Sequence, residues 1–471
     1  MLFNSWPFVP FIAVVLTLYY LLPFRWQNRM LLLASCIFYA AWDWRFLFLL
    51  VGSTAIDYFV GLRIPQCSSM LVRKRWMLLS CVANLVILGT FKYFNFFIDN
   101  ATQLFHSCGL NVPTIGLKVA LPIGISFYTF HAMSYTIDIY RGKMKPIHSF
   151  LDYMLFVLYF PQLVAGPIAR AADLIPQVIH PRTITRVQIR AGLWLVLWGF
   201  FKKMVIADNL APIVDKVFDA PDVPGGAQCL LAVYAFAIQI YCDFSGYTDI
   251  ARGLGKLMGF ELALNFNLPY LAKNPAEFWH RWHISLSSWL RDYLYIPLGG
   301  NRHGTTKTYR NLMLTMLLGG LWHGAAWNFV IWGGYHGLLL SLHRLLRGEP
   351  AGSDARRAGP VGSFVSWVIM FHLTCLGWFF FRATSLSQIG TFLKRIGTDL
   401  VFDQQIAAMA FPLVFFGGLL WTLELWLRNA DDARTRWGWR WGLGPVTVSV
   451  LLAAVFLLTP SGSRQFIYFQ F

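Results

Sequence analysis

The sequence predicts an all-α protein that crosses a membrane many times, and three observations carry that prediction. Hydrophobic residues make up 57% of the chain and charged residues 13%, against roughly 25% charged in an average soluble domain. Apolar runs recur from residue 8 to residue 459 with no long polar block between them. Many approach the 20 or so residues that a helix needs to cross the hydrocarbon core. A length of 471 residues would suggest about three soluble domains. The continuous apolar patterning argues instead for a single membrane domain over residues 1–471, closed by an aromatic tail at 460–471.

In chain order, spans are expected near 8–24, 30–62 (two shorter helices broken at Asp43 and Arg45), 77–97, 119–139 and 150–168. Further spans are expected near 189–206, 229–250, 311–340, 364–381, 406–427 and 443–459, about eleven passes by the length criterion. Met1–Pro7 has no basic residue, so the first run reads as a retained anchor rather than a cleaved signal. Pro122, Pro161, Gly166, Pro167 and the glycine pairs 299–300, 319–320 and 333–334 interrupt several runs. Backbone freed at membrane depth survives only inside protein or beside a watery cavity, which predicts re-entrant pieces within the bundle. Residues 345–360 read as a flexible surface loop.

The formal net charge of +17 would raise nucleic acid as a partner for a soluble protein. Here Arg63, Arg73, Lys74 and Arg75 follow one apolar run, Lys202 and Lys203 another, and Arg434, Arg436 and Arg440 precede the last. That is the pattern of positive-inside loops, so the expected partner is the lipid bilayer and not nucleic acid. The seven cysteines are scattered without a CxxC pair and read as small buried hydrophobes.

Two segments hold the candidate chemistry. In PAEFWHRWHISLSSWLRDY, residues 275–293, helical spacing puts Trp279, Trp282, Leu286, Trp289 and Tyr293 on one face and His280, His283, Ser287 and Arg291 on a neighbouring stripe. An interfacial amphipathic helix explains the tryptophans and arginines. It gives no reason for the histidines, which makes His283 a functional candidate. In NLMLTMLLGGLWHGAAWNFVIWGGYHG, residues 311–337, His323 sits mid-run among apolar and small neighbours. An ionisable residue at such depth is by default a functional hypothesis; a core histidine bonded between helices is the rival reading. Gly319, Gly320 and Gly324 leave room beside it for a substrate or another backbone. His336, nearer the end of the run, is assigned to the core.

A histidine, with a pKa near 6.5, can take a hydroxyl proton and return it to a leaving group, and a second polar group can steady an oxyanion or orient the base. His323 and His283 suit those roles if the fold joins them, which their spacing does not establish. Such chemistry also requires a hydrated approach to His323. A metal site is not predicted, because His280 and His283 have no evident third ligand. No GxSxG elbow, Walker motif or strand-linked GxGxxG occurs.

The blocks LPIGISFYTFHAMSYTIDIYRG (121–142), FPQLVAGPIAR (160–170), YCDFSGYTDIARGLGKLMGF (241–260), FWHRWHISLSSWLRDYLYIPLGGNRHGT (278–305) and YRNLMLTMLLGGLWHGAAWNFVIWGGYHG (309–337) resemble the membrane-bound O-acyltransferase (MBOAT) family, in its AlgI-type branch of alginate O-acetyltransferases. The resemblance implies an MBOAT-type bundle with re-entrant and interfacial helices around a central funnel. It implies that His323 matches the central catalytic histidine and His283 the second, with cytosolic acetyl-CoA as donor substrate and no permanently bound cofactor. CoA-contacting residues are not assigned. One departure is His280, where the family pattern more often has arginine, a change that alters the electrostatics near the funnel.

The chain ends SRQFIYFQF. Composition alone favours an interfacial anchor, but the ending resembles a C-terminal motif of the family in which the tyrosine carries the acyl group, here Tyr468. Arg428, Arg434, Arg436 and Arg440 precede the last span and Arg464 alone follows it, so the tail is expected on the non-cytoplasmic side, which the resemblance implies is the periplasmic side of a bacterial inner membrane. The resemblance further implies a periplasmic SGNH-hydrolase-like acetyltransferase as partner and an exported polysaccharide as acceptor, alginate-like, peptidoglycan or cellulose. From other functional classes, a polytopic transporter or channel for an acyl or sugar substrate is the alternative, since broken helices and buried histidines also describe substrate pathways. A scaffold for soluble enzymes is the third.

Overall fold

The computed structural model describes residues 1–111, 119–347, 359–426, 444–460, 462 and 464–467, and among them no strand occurs. The first helices are α1 (Phe8–Leu21), α2 (Phe24–Asp43), α3 (Arg45–Arg63), α4 (Met70–Leu88), α5 (Phe94–Ser107), α6 (Ile125–Tyr140), α7 (Phe150–Leu158), α8 (Ala171–Ile179) and α9 (Arg186–Phe200). They are followed by α10 (Asp208–Phe218), α11 (Gly226–Leu257), α12 (Pro275–Arg281), α13 (Ile284–Leu290), α14 (Thr305–His323) and α15 (Trp327–Arg347). The last are α16 (Pro360–Arg382), α17 (Leu386–Thr398), α18 (Gln404–Trp426) and α19 (Gly444–Leu458).

Among the described residues, five stretches are long and apolar enough to cross a bilayer: Arg45–Gln66, Met70–Ser107, Gly226–Leu257, Pro360–Arg382 and Gln404–Leu425. The apolar helices Phe8–Leu21 and Gly444–Leu458 are shorter. Several runs that read as continuous in the sequence are broken. The run at 150–168 stops at Tyr159 and resumes as a single turn, Phe160–Leu163, buried throughout. Pro161 at the start of that turn has no N–H to leave unbonded. The run at 311–340 is a helical hairpin split at residues 324–326. The predicted loop at 345–360 and the arginines 428, 434, 436 and 440 fall largely or wholly outside the described residues.

The helices group into two units. The first, Met1–Leu193 with Ile250–Ala263, packs α7 against α2 and α8 and buries it from Tyr153 to Leu158. Helices α3, α4 and α6 are joined by buried polar groups. Ser80 Oγ donates to Asp57 Oδ1 at 2.5 Å, and Asn84 Nδ2 bridges both Asp57 oxygens at 2.8 and 3.0 Å. Thr136 Oγ1 lies 3.0 Å from Ser80 Oγ. Lipid gives no hydrophobic drive for helix association, so such bonds and close packing must supply it. Arg182 donates to Tyr19 Oη and Asn28 Oδ1, both at 2.8 Å, and stacks over Phe260 at 4.3 Å.

The second unit, Trp194–Asp249 with Leu264–Phe471, contains both candidate histidines. Its structure corrects the loop reading of Lys202 and Lys203. Both lie in a wide-turn continuation of α9, residues 201–207, and are 2% and 1% exposed. Lys202 Nζ pairs with Asp249 at 2.7 Å, and Lys203 Nζ pairs with Asp208 at 2.9 Å and with Asp243. Their stripe looks like a positive-inside signal because the compensating carboxylates come from α10 and α11.

Candidate active site

The α14–α15 hairpin places His323. Its two helices pack closely enough that a Cβ on Gly333 would strike the Met316 carbonyl, and one on Gly320 would strike the Phe329 carbonyl. Of the glycines beside His323 expected to admit a substrate or another backbone, Gly320 meets backbone, whereas Gly319 and Gly324 meet the side chains of Leu290 and Phe329. The chain leaves α14 immediately after His323, through Gly324 in extended conformation (φ −160°, ψ 151°). The Phe329 ring fills the space that a side chain at 324 would need. The break puts His323 at the helix end, where its ring turns into the unit's interior.

His323 is 5% exposed, and its ring lies in an aromatic collar. Centroid distances are 5.1 Å to Trp322, 5.0 Å to Trp332 and 5.4 Å to Phe381. Phe381 is held there by Asn328, whose Nδ2 donates to its carbonyl at 3.0 Å. Among these rings stands a polar one: His283, 6.4 Å from His323 between centroids. The fold thus brings together two histidines that are 40 positions apart in sequence.

His283 reaches this position through a break that its sequence does not announce. Residues 275–293 are not one helix: α12 ends at Arg281, Trp282 is extended (φ −102°, ψ 129°) and His283 is left-handed (φ 43°, ψ 53°). The predicted stripe joining His280 and His283 therefore does not exist. His280 is exposed, and Glu277 pairs with Arg281 at 3.0 Å beside it. His283 is fully buried. A non-glycine residue in this conformation costs about 1–3 kcal/mol and persists only where its surroundings hold it.

Asn265 holds it, and sequence reasoning missed that residue. Its carbonyl accepts from Ile284 N at 2.9 Å. Its side-chain Oδ1 accepts from Ser285 N at 3.3 Å and Ser285 Oγ at 2.9 Å, and lies 3.0 Å from His283 Nδ1. A backbone N–H only donates, so the Asn265 atom facing it must be the oxygen, and His283 Nδ1 must carry a proton. In a neutral imidazole the lone pair then sits on Nε2. His283 lies outside the five long apolar stretches, and burial lowers its pKa to about 3 from 6.5, which keeps the ring neutral. The available signal was an asparagine inside an otherwise apolar, non-helical stretch, Leu262–Phe266. Replacing Asn265 by leucine keeps the branching at Cγ and removes the acceptor. If the histidine pair carries out proton transfer, the turnover that depends on it should fall about 100-fold, as expected when a reacting group is misplaced by about an ångström, whereas Asn265→Asp, which still accepts, should retain most of it.

His336 takes the core position assigned to it. It is 1% exposed, stacked on Phe278 at 5.9 Å and edge-on to Trp279 at 5.1 Å and Trp332 at 4.8 Å. Tyr468 lies outside the described residues, although Arg464–Ile467 just before it are described. Among the described residues, no three His, Cys, Asp or Glu side chains gather as a metal site.

Comparison with known proteins gives a consistent result. A profile of the membrane-bound O-acyltransferase family matches residues 126–381, which include both histidines and Asn265. The probable alginate O-acetylase AlgI of Pseudomonas aeruginosa is 47% identical, over 82% of this chain and 73% of that protein. The probable alginate O-acetylase AlgI of Pseudomonas putida is 46% identical over 100% of both chains. The peptidoglycan O-acetyltransferase of Helicobacter pylori is 39% identical over 84% of this chain and 79% of its own.

Proposed function

The chain belongs to the membrane-bound O-acyltransferase family, and from that membership we propose that it passes acetyl groups from cytosolic acetyl-CoA across the inner membrane to modify an exported polysaccharide. It is a multi-pass membrane enzyme of the O-acetyltransferase type, and the transporter reading has no comparable support. The observation that carries the proposal is the meeting of His283 and His323 at 6.4 Å, with Asn265 fixing which nitrogen of His283 bears the proton.

In the proposed first step the phenol oxygen of Tyr468 attacks the thioester carbonyl while His323 takes the phenolic proton. A C–O bond forms, the C–S bond breaks, and the imidazole returns the proton to the CoA sulfur. Tyrosine and acetyl-CoA become acetyl-tyrosine and CoA. His283, neutral with its lone pair on Nε2, can accept a hydrogen bond there but cannot donate one to an oxyanion. Of the two roles open to it, orienting the base or the attacking hydroxyl is the one its tautomer supports.

In the second step a periplasmic SGNH-hydrolase-like partner takes the acetyl group from Tyr468 and gives it to a sugar hydroxyl, regenerating the phenol. The names of the relatives, alginate O-acetylase and peptidoglycan O-acetyltransferase, support a cell-surface polymer as acceptor. The arginines before α19 support a periplasmic C-terminus. Intact-mass measurement of the C-terminal peptide after incubation with acetyl-CoA should show one acetyl group on Tyr468. An unmodified tail in a preparation that acetylates polymer would refute the relay.

A further inference from the structure

The last described residues of the chain do not lie loosely at an interface. Helix α19 packs on the wide-turn segment 201–207, and Asn209 Nδ2 donates to the Leu458 carbonyl at 2.7 Å. The chain then returns to the same region. Arg464 pairs with Asp215 at 2.5 Å. Lys203 Nζ donates to the Gln465 carbonyl at 3.3 Å, and Ile467 N donates to Asp243 Oδ2 at 2.7 Å. Phe466, 1% exposed, stands edge-on to Tyr247 at 4.5 Å with Lys203 Nζ 4.7 Å above its ring.

Charge explains why this site accepts a main chain. Lys203 faces two buried carboxylates, Asp208 and Asp243, all three no more than 4% exposed. One ammonium does not neutralise two carboxylates, and a buried charge is tolerated only when paired and hydrogen-bonded. Asp243 gives Oδ1 to Lys203 and Oδ2 to the Ile467 amide. The tail supplies a donor to a buried acid and, through Gln465, an acceptor to the buried lysine. An anchor that merely dissolved its aromatic side chains in the headgroup region would need neither bond.

The geometry points to a docking site in which Lys203 and Asp243 act as positioning residues, seizing the backbone at Gln465 and Ile467 to deliver Tyr468 to the acyl-transfer centre. This inference rests on the relay reading above, because it assigns the dock a purpose only if Tyr468 accepts acetyl. Consecutive Cα atoms are about 3.8 Å apart, so a backbone held at Gln465 and Ile467 restricts how far the residue that follows can travel. Confinement replaces a diffusing nucleophile by one at high effective concentration.

The test uses the full-length protein in detergent or nanodiscs with acetyl-CoA. Ile467→Pro deletes the amide hydrogen that Asp243 accepts and leaves the Lys203, Asp208 and Asp243 side chains intact. Phe466→Ala removes the ring between Tyr247 and Lys203 and serves as the second variant. The readouts are hydrogen exchange of the C-terminal peptide, acetyl on Tyr468 by mass, and thermal unfolding. The wild-type tail should be protected from exchange and acetylated; both variants should exchange quickly in the tail while the rest of the protein exchanges as in wild type, unfold at a somewhat lower temperature because a buried donor or ring is lost, and lose at least about tenfold in acetylation rate. Variants that acetylate as fast as wild type with a released tail overturn the dock, as does a wild-type tail that exchanges like a free peptide. A protected wild-type tail without acetyl has a different meaning: the relay fails, and the positioning role falls with it.

Discussion

Replacing His323 by glutamine is expected to lower acetyl-CoA turnover by about 10²–10⁴-fold, the range that a positioned general base contributes, while the protein still inserts and folds. Glutamine occupies similar space at the end of α14 and keeps polar atoms inside the collar of Trp322, Trp332 and Phe381. It has no proton-accepting nitrogen near neutral pH. His336→Gln is the matched control. That ring is as buried, in the same unit and among comparable aromatic neighbours, so the packing cost is similar and the chemistry should survive. CoA thiol release by purified protein separates the two variants. Equal loss in both would reduce His323 to a packing residue, and an active His323→Gln protein would favour the scaffold reading.

The difference between these two histidines also measures what was legible in the sequence. His323 stands out because an imidazole in a long apolar run lacks an ordinary reason to be there, and of the adjoining glycines Gly320 marks a close backbone approach that the structure realises, against Phe329. His283 was legible only as an excess over what an interfacial helix requires. Its true setting depends on a left-handed break at 282–283 that periodicity cannot reveal, since Trp279, Trp282, Leu286 and Trp289 keep helical spacing straight through it. Asn265 left only a faint signal, a polar residue in the apolar stretch Leu262–Phe266. Its tie to His283 and Ile284 depends on how that stretch meets the break at 282–283, and such a pairing cannot be read from composition. Lys202 and Lys203 were misread because a pair of lysines after an apolar run looks the same whether it meets water or buried carboxylates. Only the fold places Asp208, Asp243 and Asp249 beside them.

Tyr468→Phe should abolish polymer acetylation, to the level of a control without enzyme, because the substitution removes the single oxygen on which the proposed relay depends. It leaves the backbone at Gln465 and Ile467 free to make the same bonds to Lys203 and Asp243, so hydrogen exchange of the tail should be unchanged. Loss of activity with an intact dock would then belong to the phenol alone. Tyr468→Ser extends the argument. A phenol ionises near pH 10 and a thiol near 8.5, so an acetyl-tyrosine remains activated somewhat like the thioester that made it. An aliphatic hydroxyl is a far weaker acid, closer to water at about 15.7, and its acetyl ester has less driving force for onward transfer. The serine variant should therefore carry acetyl on its tail by mass yet fail to acetylate polymer, stalling between the two steps. Full polymer acetylation by the phenylalanine variant would remove the tyrosine from the pathway and leave the acceptor to be bound directly beside His323.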